Sequence, residues 1–309
     1  MLLTSKTFVV AVDGSRLGFR AVRLAAWLCD FRTRDKVRCV SIAKGMTAME
    51  ALGLVNAAES LLRESGVPAT SIVPGAVLTI SEGSSLADTL AKAAMGGHLV
   101  MGAGGARLQK EAENRKTTAS AAIGSVAAQC MTICHAPVIL AKPKGIAKLD
   151  TPQFLTERRA GTGMVVAVAV DSSRISQKCF DMTLRLVQRG DIVKIVHVTN
   201  SDENVLRPGA VNTLLGNSAI RQYYQQECSK ACAIKLGCHF EFEETPVGKH
   251  GVAQALLDYL EVVLADLVIM GSIELTHVKP GSDALGSVAA TIAKKTPAHV
   301  LIAKHFAHV

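Results

Sequence analysis

The chain says the same thing twice, and that duplication constrains its fold more than any other feature. Phe8-Val9-Val10-Ala11-Val12-Asp13-Gly14-Ser15 returns as Val165 to Ser173 at an offset of 158, and Met101-Gly102 returns as Met270-Gly271 at an offset of 169. Gly124-Ser125-Val126-Ala127-Ala128 returns at 286–290, and over 124–142 against 286–304 nine of nineteen positions are identical without a gap. Each copy must therefore fold by one plan, and 309 residues hold two units of ordinary domain size. The shifting offset locates the differences: the second copy is eleven residues longer before its Met-Gly, and the first is seven longer after it. The composition of Ser201 to Leu215 makes that connection the place for the eleven.

Within each copy short β-type runs alternate with helix-length amphipathic segments. The first copy predicts strands near Thr7–Val12, Lys36–Ile42, Gly75–Ile80, Leu99–Met101 and Val138–Ala141. Helices fall near Ser15–Cys29, Thr47–Glu64, Ser84–Ala94 and after Gly124. The second copy repeats the order, with strands near Met164, Val193, Phe240, Leu267 and Val300. Only 4% of residues are aromatic, so the cores are built from Val, Ile, Leu and Ala, as in parallel strands buried between helices. Strict βαβα alternation implies right-handed crossovers and a doubly wound parallel sheet in each copy. The expected boundaries are 1–143 for the first domain, 144–162 for a linker carrying Pro152 and paired arginines, and 163–309 for the second domain.

Composition narrows the function classes. The charge is uneven: residues 1–150 hold 18 Lys and Arg against 11 Asp and Glu, while 151–309 hold 16 against 15. An acidic ligand is therefore expected in the first copy. The first apolar run stops at Asp13 with no cleavage site, and Gln129, His135 and Pro137 interrupt the longest uncharged stretch. The expectation is a cytoplasmic protein without a membrane span. Eight cysteines make no CxxC pair, and the Cys228, Cys232, Cys238 and His239 group is a weak metal candidate beside buried thiols in a reducing compartment. No metal site and no catalytic residue is assigned, since no P-loop, Gly-rich dinucleotide turn, His-Glu-x-x-His or Gly-x-Ser-x-Gly occurs. His197 reads as a hydrogen-bonded strand histidine, and Arg16, Arg20 and Arg23 share a helix face that is either solvated or open to an acidic partner. No aromatic interleaving supports nucleic-acid binding.

In an open parallel sheet ligands sit at the carboxyl ends of the strands. Asp13, the Met101-Gly102 turn with Gly104-Gly105, and the helix start at Gly124-Ser125 all fall at that edge. Glycines after a strand and a Gly-Ser opening a helix leave backbone amides free for phosphate oxygens, although they also make plain turns. Asp13 is either a ligand contact or, with Ser15, a helix cap; Met101 is either a pocket wall or core.

These residues carry a resemblance. Ala11-Val12-Asp13-Gly14-Ser15, Val170-Asp171-Ser172-Ser173, Ile195-Val196-His197-Val198, Ala265 to Ser272 and the two Gly-Ser-Val helix starts resemble the universal stress protein family across both copies. The resemblance implies two tandem five-stranded α/β domains, adenine nucleotide alpha hydrolase-like, packed as an internal pseudo-dimer through their final strands, with a further homodimer also open. The ATP-binding branch of that family carries G-x2-G-x9-G-[ST]. Here Gly102 and Gly105 are followed by 18 residues before Gly124-Ser125, an insertion bearing Arg107, Lys110, Arg115 and Lys116. The second copy places Glu274 at the second glycine, which predicts a degenerate nucleotide site there. By resemblance, Asp13 contacts the ribose, the backbone at Ile42 reads the adenine, and Ala11, Met101 and Gly102 line base and sugar. Gly105, Gly124, Ser125 and Val126 hold phosphates. The expected cofactor is ATP, with AMP or ADP as alternatives and Mg carried on the phosphates. The expected role is a stress-response regulatory module with an unidentified protein partner, hydrolysing ATP slowly at most. The rivals are an interaction protein of the same fold that binds no nucleotide and, third, an adenylate-transferring enzyme.

Overall fold

A computed structural model describes residues 5–105, 123–143, 146–199, 216–272 and 285–304. The chain divides into two compact units, one of residues 1–160 with 299–301 and the other of residues 161–298 with 302–309. The first contains β1 (Thr7–Ala11), α1 (Arg16–Leu28), β2 (Lys36–Ile42), α2 (Ala48–Glu64), β3 (Ile72–Leu78), α3 (Leu86–Ala93), β4 (His98–Gly102), α4 (Ser125–Ile133), β5 (Val138–Ala141) and α5 (Phe154–Arg159). Its strands lie in the order β3-β2-β1-β4-β5, all parallel. From Gly161 on, the chain forms β6 (Val165–Val170), α6 (Arg174–Leu186), β7 (Ile192–Thr199), α7 (Asn217–Ile234), β8 (His239–Pro246), α8 (Val252–Val262), β9 (Leu267–Gly271), α9 (Ser287–Lys295) and β10 (His299–Ala303). Its parallel strands run β9-β6-β7-β8, with β10 beside β9. Both units are doubly wound α/β folds, as the alternation predicts.

The central strands are continuous apolar runs because helices cover both faces: Phe8, Val10, Leu99, Val100 and Ile139 are fully buried, as are Val166, Val168, Val268 and Ile269. Hydroxyl caps start four helices, Ser15 for α1, Thr47 for α2, Ser85 for α3 and Ser173 for α6. In contrast, α4 and α9 begin on Gly124 and Gly286, and no side chain caps their amides.

Two details depart from the sequence expectation. Strand β3 starts at Ile72, so Pro74 lies inside it. Proline is tolerated because β3 is an edge strand and the register shifts there, between Arg38 and Val40 on β2. The Gly75 amide then donates to Glu59 Oε1 at 2.7 Å.

The stretch expected as linker is folded against α1. Arg20 is buried on the arginine face of α1, forms an ion pair with Asp150, and donates from Nη2 to the Ile146 carbonyl at 2.9 Å. Phe154 stacks on Trp27 with centroids 6.4 Å apart, and the Arg158 guanidinium lies 5.1 Å from the same ring. Trp27 is thereby fully buried. Six helical residues are too few for a 3.6 period to show, which is why the packing was not readable.

None of the eight cysteines is in a disulfide, and among the described residues no group of three metal-ligating side chains exists. No described helix is long and apolar enough to cross a membrane.

Candidate functional site

The site of the first unit grows out of four chain ends meeting at the carboxyl edge of its sheet. β1 runs on through Val12, whose amide donates to the Val40 carbonyl at 2.8 Å, and delivers Asp13 to the edge. Gly14 turns the chain at φ +77°, a left-handed conformation that suits glycine, and α1 starts two residues later. Ser15 accepts from the Gly18 amide at 2.9 Å through Oγ, which caps the helix. The same Ser15 donates to Asp13 Oδ1 from its hydroxyl at 2.5 Å and from its amide at 3.0 Å. The cap and ligand readings of Asp13 and Ser15 are thus compatible: Ser15 is the cap, and Asp13 is held by it.

Opposite, β4 ends at Gly102, where a Cβ would stand 2.9 Å from Leu17 Cβ, so only glycine lets the first turn of α1 press against this turn. The Ala103 amide donates to the Ala141 carbonyl at 2.9 Å, and the Ala103 carbonyl accepts from the Gly124 amide at 2.8 Å. These two bonds tie the β4 turn, β5 and the start of α4 into one cradle. A Cβ on Gly105 would lie 3.1 Å from Asp13 Oδ2, and one on Gly124 would lie 3.6 Å from the Gly105 amide nitrogen. The turn, the helix start and the aspartate are therefore direct neighbours.

Together these ends enclose a cavity of about 510 Å³, which falls inside the range of small-molecule sites. Ala11, Asp13, Ile42, Met101, Gly102, Gly105, Gly124, Ser125 and Val126 all line it. Sequence reasoning missed its apolar end, formed by Val40, Met46, Leu86, Leu90 and Ile123, and also missed Lys44 and Ser41. The last is 2% exposed with no hydrogen-bond partner for Oγ. The one signal available for the apolar end was the hydrophobic face of α3. The Ile42 carbonyl accepts from the Lys44 amide at 2.8 Å and keeps a second lone pair. Chemically the cavity offers apolar walls, a carboxylate, and uncapped helix amides where the α4 dipole favours an anion. The nearby Cys39 thiol is pushed up to about 12 by burial, with the Glu59 carboxylate adding to the effect, so it is no thiolate at neutral pH. The basic insertion with Arg107, Lys110, Arg115 and Lys116 lies outside the described residues, as does Glu274.

The second unit repeats the cradle. Gly286 donates to the Ser272 carbonyl at 2.6 Å, and Ser272 donates to the Ala303 carbonyl at 2.9 Å. Its cavity is about 270 Å³. Where the first unit has Gly18, the second has Ser176, whose hydroxyl donates to Asp171 Oδ1 at 2.7 Å beside the Ser173 amide at 2.8 Å. Where the first has Ser41, the second has the buried His197, held between the Val170 carbonyl and Asn217 Oδ1 at 3.0 Å each. His197 is the hydrogen-bonded strand histidine expected from sequence.

Fold and site define a class: tandem doubly wound α/β units, each with a pocket where chain direction reverses across the sheet. Residues 164–304 match the model of the universal stress protein family, and the chain carries a domain of that family there. A protein of unknown function from Pseudomonas aeruginosa PAO1 is similar over 98% of this chain and 94% of its own, with 14% identity and a TM-score of 0.57. A protein from Pseudomonas aeruginosa UCBPP-PA14, described as a universal stress protein, is similar over the same shares with 15% identity and a TM-score of 0.57. At such identity these likenesses speak to the fold of the chain from end to end. A universal stress protein solved in complex with cAMP is similar over 44% of this chain and 95% of its own, with 18% identity and a TM-score of 0.31. Among curated proteins, none matches the sequence.

Proposed function

We propose that the first unit binds an adenine nucleotide, ATP foremost, and that the protein works as a stress-response regulatory module rather than as an efficient enzyme. The observation that carries this reading is the cavity of about 510 Å³ that ends on the uncapped amides of Ser125 and Val126. The apolar lining, with Val40, Leu90 and Met101, suits a planar base, and the glycine turn and helix start suit the phosphates. Any Mg would arrive on the phosphates. The second unit, with a cavity about half as large, is read as an interaction module that takes no triphosphate.

Titration calorimetry of the full chain with ATP, ADP and AMP tests this. Micromolar binding of one nucleotide per chain is expected, weakened at least tenfold by Asp13→Ala and by Gly105→Leu, which would drive a side chain into the cradle. Wild-type protein that takes up no adenine nucleotide at millimolar concentration refutes the reading.

A further inference from the structure

The smaller cavity, in the second unit, holds a hydroxyl that its counterpart lacks. Ser272 follows β9 where Ala103 follows β4. Its amide donates to the Ala303 carbonyl at 2.9 Å and its carbonyl accepts from the Gly286 amide at 2.6 Å, so it lies against the start of α9. A Cβ on Gly271 would stand 2.7 Å from Ile175 Cγ2, so position 271 faces α6. Strand alternation turns Met270 and Ser272 to the other face, where they border the cavity with Leu256 of α8 and Val288 of α9. Ser272 is 3% exposed, and its hydroxyl has no hydrogen-bond partner among the described residues. A buried hydroxyl in that state is costly until something accepts from it. α9, nine residues long, begins on Gly286 with no side chain capping its first amides, and these border the same cavity.

We propose that the cavity of the second unit binds a small ionised carboxylic acid, its carboxylate on the Ser272 hydroxyl and the first amides of α9, its short apolar body against Val252, Leu256, Met270 and Val288. Hydroxyl and amides all donate, and the helix dipole points the same way, so the group they match is a negatively charged acceptor. Among the described lining residues the only carboxylate is Asp171, whose Oδ1 accepts from the Ser173 amide at 2.8 Å and the Ser176 hydroxyl at 2.7 Å. Its charge opposes a dianionic phosphate about twice as strongly as a carboxylate. The volume of about 270 Å³ equals that of roughly nine water molecules, room for an acid of about six to ten heavy atoms and too little for a nucleotide. Nucleotide binding in the first unit is not required for this site.

Titration of the full chain with isovalerate, hexanoate and benzoate, followed by amide chemical shifts, tests the assignment, with the matching neutral amides, inorganic phosphate and AMP as comparisons. At least one acid is expected to bind with a Kd of about 1 mM or tighter, and its neutral amide at least tenfold more weakly. Ser272→Ala, which copies the first unit at this place, should weaken the acid about fivefold or more. Ser287→Pro removes one amide donor at the first position of α9, where proline is tolerated, and should weaken it by a similar factor. If Ser287→Pro does not fold, Ser272→Ala decides. No binding of any acid up to about 20 mM overturns the inference, as does a neutral amide that binds as tightly as its acid. An acid affinity unchanged in Ser272→Ala or in folded Ser287→Pro also overturns it. Phosphate or AMP that binds more tightly than every acid, and loses that affinity in Ser272→Ala, overturns the ligand class.

Discussion

The contact between Asp13 and the first turn of α1 makes a prediction that is unusual for a helical glycine. Gly18 lies inside α1, where replacing glycine by alanine ordinarily stabilises by about 0.5–1 kcal/mol through backbone entropy. Here the new Cβ would stand 2.7 Å from Asp13 Oδ1 and 3.3 Å from Ser15 Oγ, so the carboxylate must swing away. Swinging away breaks two hydrogen bonds from Ser15 to a charged oxygen. Such bonds are worth about 1.5–3 kcal/mol when buried, but Asp13 is exposed and rehydrates, so about 1–2 kcal/mol for the pair is the reasonable figure. Gly18→Ala alone should therefore leave stability unchanged or lower it by up to about 1.5 kcal/mol, the difference between the two effects. In an Asp13→Ala background the collision is gone, and the same change should stabilise by about 0.5–1 kcal/mol. Urea unfolding of the four proteins gives the coupling directly, with about 1–2 kcal/mol expected. Gly18→Ala that stabilises equally in both backgrounds would show that Asp13 is not held against the helix.

Lys142 is 1% exposed, and burial lowers its ammonium from 10.5 to about 8. Its folded pKa lies below its unfolded one, so the unfolded chain binds the extra proton between about pH 8 and 10.5 and stability rises across that window. The buried cysteines act oppositely above pH 9: burial holds Cys39 and Cys228 up near 12. The clean quantity is the stability of Lys142→Met minus that of wild type, which should fall by about 3 kcal/mol between pH 7 and 10.5 in denaturant titrations. A difference flat with pH refutes it. Phe154→Ala should destabilise by about 3–5 kcal/mol, since Phe154 is 1% exposed and covers the only tryptophan. Trp27 emission should move to longer wavelength as water reaches the ring, and an unchanged spectrum would mean that α5 does not pack there.

The legible parts of the sequence were those fixed by local rules. Both sheets follow from apolar runs at repeat spacing, and β2 and β5 fall on the residues that their patterns mark. The cavity residues named from Asp13, Met101-Gly102 and Gly124-Ser125 converge because each ends a parallel strand or begins the helix after one, and parallel strands put such ends on one edge. What escaped depends on tertiary placement. Pro74 reads as a strand breaker until β3 is known to be an edge. Arg20 reads as part of a solvated face until Asp150, 130 residues away, is found against it. Leu86 and Leu90 read as the inner face of α3, and nothing local says that part of this face is the wall of a cavity.

Gly18 was missed although it carries a signal of its own, because an isolated glycine in a helix weakens it and needs a reason. The duplication supplies that reason. At the matching place the second unit has Ser176, and both units satisfy the same oxygen of the same aspartate, by different routes. In the first, the cap serine holds Oδ1 and the helix gives way to it as glycine. In the second, the helix reaches out with a hydroxyl that donates to Oδ1 and accepts from the Asp171 amide at 3.0 Å, while Ser173 meets Ser176 at 3.1 Å. The second arrangement closes on itself, since Ser173, Ser176 and Asp171 satisfy one another. The first leaves the carboxylate anchored from one side only, with its other oxygen turned to the glycine cradle. Both aspartates are thus anchored through one oxygen, by Ser15 alone in the first unit and by Ser173 with Ser176 in the second, and this difference grows from a single helical position, independently of the length of the loops that follow either Met-Gly turn.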